Sequence, residues 1–179
     1  MQFVNNEQVQ IQIRKDQNTL IVVGTGTIIF GLWTMAKMLG MVFILRKETI
    51  AALKENYEGV AEIPDNFVFW GILVMTFIIM AVILAVRTYV GMSAISEGRG
   101  KRKGILYLLF AMIMVAASIY YLVAGISTVD APEQMGAFTR DQSISALIIE
   151  ATSMVMTIEM IVSALRIRKL TRTERHTGD

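Results

Sequence analysis

The stretch LIVVGTGTIIFGLWTMAKMLGMVFIL, Leu20 to Leu45, runs for 26 residues with one ionisable side chain, Lys37. A helix needs roughly 20 apolar residues to cross a hydrocarbon core about 30 Å thick, so this stretch is long enough to span. Residues 67–86, 105–123 and 144–165 repeat the pattern, with polar connections between them. Hydrophobic residues make up 54% of the chain, and the mean hydropathy is +0.54. A soluble domain of 179 residues cannot hide that much apolar surface. The expected fold class is all-α, an integral membrane four-helix bundle. A polar amino-terminal segment covers 1–19. The bundle covers 20–166, with spans near 20–45, 67–90, 104–125 and 143–166, and a basic tail covers 167–179.

Cytoplasmic segments of membrane proteins are enriched in Lys and Arg. Of the 17 basic residues, 12 fall in the amino-terminal segment, the second connection and the tail, against four in the first and third connections. Both termini are therefore expected in the cytoplasm, in a cell membrane of bacterial cytoplasmic type. The first segment is too polar for a cleavable signal peptide. After Leu45, Ile50, Leu53 and Tyr57 recur at helical spacing before Gly59. This predicts a helical extension of the first span on the outer side, either continuing outward or bending onto the membrane surface. Asp141 or Ser143 is the expected cap of the fourth span. At the amino terminus, Val9-Gln10-Ile11-Gln12-Ile13 alternates with the strand period and predicts an extended segment.

Several chemistries are excluded by composition. The chain has no cysteine, and its sole histidine, His176, lies in the tail. Disulfides, thiolate metal sites and a catalytic triad cannot be assembled, and no metal or cofactor is expected. Gly24-Thr25-Gly26 with Gly31 lacks the spacing of a dinucleotide fingerprint and has no strand before it. The basic residues Arg99, Lys101, Arg102, Lys103, Arg168, Lys169 and Arg172 are expected to meet anionic lipid headgroups. No aromatic residues are interleaved with them as nucleic-acid binding would favour, so no nucleic acid is expected as a partner.

The informative residues are the charges inside the spans, because hydrocarbon tolerates an ionised group only where it is paired, wet or functional. Counted from the expected outer ends of their helices, Lys37 and Glu150 lie at nearly the same depth, which predicts an ion pair between the first and fourth spans. Glu159 is nine residues from Glu150, two and a half turns, and so projects from the opposite face. Arg87 is its candidate partner, by snorkelling; a second copy or another subunit is the alternative. Trp33, one turn from Lys37, is placed to lay its ring against the ammonium. Small residues form two stripes on the first span, Gly24, Thr27 and Gly31 on one and Gly26 and Gly40 on the other. Stripes of this kind let helices approach closely.

The function expected from these features is a non-catalytic scaffold, accessory or regulatory subunit, working within a homo-oligomer or larger membrane complex. The competing expectation is a small proton- or cation-coupled transporter or channel that uses the intramembrane carboxylates.

Overall fold

A computed structural model describes residues 2–101, 103–129 and 140–177, with side-chain detail for most of them. The described residues form helices α1 (Gln2–Ile44), α2 (Arg46–Asn56), α3 (Glu58–Ala61), α4 (Asp65–Gly98), α5 (Leu106–Val129) and α6 (Arg140–Thr177). Four of them, α1, α4, α5 and α6, are long and apolar enough to cross a membrane. At 1.5 Å per residue, the 43 residues of α1 extend for about 65 Å, roughly twice the hydrocarbon thickness.

The extended segment expected at Val9–Ile13 is instead part of α1. Prolonging an existing helix adds a hydrogen bond for each residue fixed, without a new nucleation cost. The segment also carries a helical stripe that the two-residue alternation hides. Val9, Gln12 and Ile13 are half-buried, and Asp16 and Leu20 are buried one and two turns further on. Asp141 and Ser143, the expected caps, fall inside the helix, which is already formed at Arg140; their side chains lie outside the described residues.

After Ile44 the helix breaks at a single residue, Leu45 (φ −92°, ψ 23°). Hydrogen bonds from Leu45 N to Met41 O and from Thr49 N to Leu45 O continue across the break. The extension, α2, packs against the start of α4 through Ile50, Val68 and Phe69. Lys54 pairs with Asp65 at 2.6 Å, Arg46 donates to Asn66 at 2.6 Å, and the Arg46 guanidinium lies 4.3 Å from the centroid of the Phe69 ring.

The most extensive pairing is α1 against α4, antiparallel; α6 packs on α1 and on α5, and α4 meets α5 far less. Close approach between α1 and α4 depends on glycine. A Cβ on Gly91 would stand 2.6 Å from Gly24 O, one on Gly24 would stand 2.7 Å from Gly91 O, and one on Gly98 would stand 2.7 Å from Gln17 O. Moving seven residues along each helix in opposite directions carries Gln17–Gly98 to Gly24–Gly91 and then to Gly31–Leu84. This seven-residue repeat keeps one seam of each helix facing the other.

All four long helices meet in one apolar cluster that includes Leu20, Val23, Val90, Ala94, Tyr107, Ala111, Met160 and Ala164. The cluster lies toward the bundle end that carries both chain termini. At that end α4 stops in a Schellman turn. Gly100 adopts φ 80°, Gly100 N donates to Glu97 O at 2.9 Å, and Lys101 N donates to Ser96 O at 3.0 Å. The positive φ suits glycine, and the two bonds satisfy carbonyls the helix end would otherwise leave open.

Candidate functional site

Several charged side chains of the four long helices are tied to a neighbouring helix, and others are turned outward. At the terminal end, Glu97 is 5% exposed and receives a two-pronged bond from Arg168, Nε to Oε1 at 2.7 Å and Nη2 to Oε2 at 2.9 Å. Tyr107 Oη donates to the same carboxylate at 2.5 Å. Arg168 also donates to the carbonyls of Lys103 and Gly104 at 3.0 and 3.3 Å, tying the α4–α5 connection to α6. A buried carboxylate is tolerable because these donors replace the water it has lost. Nearby, Asp16 is 4% exposed and faces Arg166 Nη1 at 3.5 Å; Gln12 Nε2 donates to it at 3.2 Å.

Arg168 is thus turned inward onto Glu97, not outward to headgroups as expected from its place in a basic tail. Arg99, Lys101, Lys103 and Lys169 are exposed. Arg102 and the side chain of Arg172 lie outside the described residues. Sequence reasoning missed Glu97, Asp16 and Tyr107 because it weighed only the cations of these segments, and for the same reason it gave Arg166 no partner. Asp16 and Glu97 are rare acids among basic neighbours, and that contrast was the available signal.

Deeper in the bundle, Lys37 and Glu150 do not form the expected ion pair. Ser118 Oγ on α5 donates to Glu150 Oε1 at 2.5 Å, and no ion pair joins the carboxylate to Lys37 among the described residues. The reason is register. Asp16 faces Arg166 and Gly26 faces Met156, ten residues further along each helix in opposite directions. Continued, that register sets Glu150 beside Leu32, five residues short of Lys37, an offset of about 7.5 Å. Arg87 does not reach for Glu159 either. Its side chain packs over Gly31, and its Nη1 donates to Ser153 Oγ on α6 at 3.2 Å. Nor does Trp33 stack on Lys37; the ring–cation contacts among the described residues are Arg46 with Phe69 and Arg168 with Tyr107.

The two small-residue stripes of α1 meet different neighbours within the chain. Gly24 and Gly31 lie against α4, and Gly26 lies against Met156 of α6, whereas a Cβ on Gly40 would meet nothing within 4 Å. Thr27 is 3% exposed, and its hydroxyl donates to Val23 O within its own helix at 2.9 Å. Its burial therefore adds no unpaired donor to the interface.

Glu159 remains. It is exposed, and with Lys15, Asn18, Thr19, Val22 and Val23 it lines a shallow depression between α1 and α6. Neither Glu159 nor Lys37 forms an ion pair among the described residues. Among those residues, no three His, Asp or Glu side chains gather as metal ligands. No protein-family model matches the sequence, and no curated protein or solved structure matches it.

Proposed function

We propose that the chain is a non-catalytic, multi-pass scaffold or accessory subunit of a membrane complex, with both termini and the Glu97–Arg168 end in the cytoplasm. One observation carries this reading: charged groups inside the bundle are engaged in bonds between helices. Arg87 is joined to Ser153, Ser118 to Glu150, and Arg168 and Tyr107 to Glu97. Among the described residues no buried side-chain nitrogen or oxygen lacks a partner. Bonds of this kind fix which helix meets which, and in what register. A transport path would instead need polar groups that exchange partners with an ion.

The outward charges then serve association with other membrane subunits. The exposed basic residues Arg99, Lys101 and Lys103 suit the anionic inner leaflet, where each cation near the surface is worth about 1 kcal/mol. The test is reconstitution of the purified protein in liposomes with a proton or potassium gradient. The expected result is flux no greater than in empty vesicles for the wild type, Glu150→Gln and Glu159→Gln. Flux in the wild type that either substitution abolishes would replace this reading with the transporter.

A further inference from the structure

The two charges of the spans that form no ion pair among the described residues, half-buried Lys37 and exposed Glu159, lie along the groove where α1 meets α6. On α1, Lys15, Gly26, Trp33, Lys37 and Gly40 fall within about 60° of one another at roughly 100° per residue. Gly26 touches Met156, so this stripe borders α6 and faces away from α4. Trp33 is 57% exposed, and the space beside Gly40 is open. On α6, exposed Glu159 looks into the same groove, in the depression it shares with Lys15. The register set by Asp16–Arg166 and Gly26–Met156 puts Glu159 level with Val23. Lys37 is 14 residues further along α1, almost four turns, so the two charges stand one above the other about 21 Å apart.

We infer that this groove between α1 and α6 docks one transmembrane helix of a different protein, carrying an acid level with Lys37 and a base level with Glu159. The inference rests on the accessory-subunit reading and names the partner's chemistry. A second copy of the chain does not fit. In a two-fold dimer with its axis along the membrane normal, each residue of this face meets residues at its own depth. By the register above, Lys37 stands level with position 145 of α6 and Glu159 with Val23 of α1, so a second copy sets no opposite charge level with either. In a second copy α4 carries no acid or base between Asp65 and Arg87, α5 carries none along Leu106–Val129, and the acids of α6 nearest the level of Lys37, Asp141 and Glu150, lie four and five residues away from it. A complementary helix is the occupant that neutralises both charges. The open space at Gly40 would let its backbone come close.

The test co-expresses the full-length protein in a bacterial membrane with a designed Leu/Ala helix whose orientation is fixed by a basic cytoplasmic flank. One version carries Glu and Lys 14 residues apart at the matching depths, a second has the two exchanged, and a third is uncharged; a split luciferase reads proximity. The matched helix is expected to associate about tenfold better than the exchanged one. The double variant Lys37→Glu/Glu159→Lys is expected to reverse that preference. Because the helix arms are compared on the unmodified protein, the inference stands or falls even if the double variant fails to accumulate. Equal signals from the three helices would overturn it. So would self-association of two tagged copies that Glu159→Gln abolishes. Neither result produces flux in liposomes, so failure here is distinguishable from failure of the accessory-subunit reading.

Discussion

Replacing Gly91 with alanine tests the α1–α4 seam most directly. The new methyl carbon would stand 2.6 Å from Gly24 O and 2.7 Å from Ile28 Cγ1. A relaxed carbon–oxygen contact is about 3.3 Å or more, so the two backbones must part by about 0.7 Å. Forcing a group into a packed interface costs about 1–3 kcal/mol, and alanine's better helix propensity returns up to about 1 kcal/mol. The expected net loss is about 1–2 kcal/mol. Gly71→Ala is the control: it has the same propensity gain, but nothing lies within 4 Å of the added Cβ, so stability should hold or rise slightly. The assay is unfolding in mixed micelles by titration with a denaturing detergent, followed by helical circular dichroism. One separation of the helices relieves both members of a facing pair. Gly24→Ala/Gly91→Ala should therefore cost less than the sum of its parts. Identical midpoints for Gly91→Ala and Gly71→Ala would refute the close approach of α1 and α4.

Two further outcomes follow from the interior bonds. Arg168→Ala leaves the Glu97 carboxylate buried without its guanidinium. It should lower stability by about 3 kcal/mol, the low end for a broken buried pair, because Arg168 itself is 27% exposed. The same detergent titration checks this, and an unchanged midpoint would show that Glu97 is solvated by other means. Ser118→Ala removes the donor to Glu150 and should cost about 1–2 kcal/mol, whereas Ser118→Ala/Glu150→Leu should recover most of that loss. A double variant no better than the single one would mean that Glu150 has a role the Ser118 bond does not exhaust.

The number of long helices was readable from residue order because the bilayer imposes a length, and 20–45, 67–86, 105–123 and 144–165 meet it without reference to one another. Interior charge partners were not readable in the same way. Depth counted from an assumed helix end made Lys37 and Glu150 neighbours, but depth is set by register, and register by contacts such as Gly24–Gly91 and Gly26–Met156. The strand-like alternation at Val9–Ile13 misled for a related reason: the segment's half-buried and buried positions follow the period of three to four that only the neighbouring helices reveal.

The amino-acid sequence by itself determined four apolar helices and the places where charge interrupts them, since hydrophobicity and chain length are local properties that need no neighbour. Tertiary structure alone decided which group each charge meets, sending Arg168 to Glu97, Arg87 to Ser153 and Ser118 to Glu150, and leaving Glu159 outside. A side chain a few ångströms long can bond only to what helix rotation and sliding bring within reach, and those two freedoms are settled by packing.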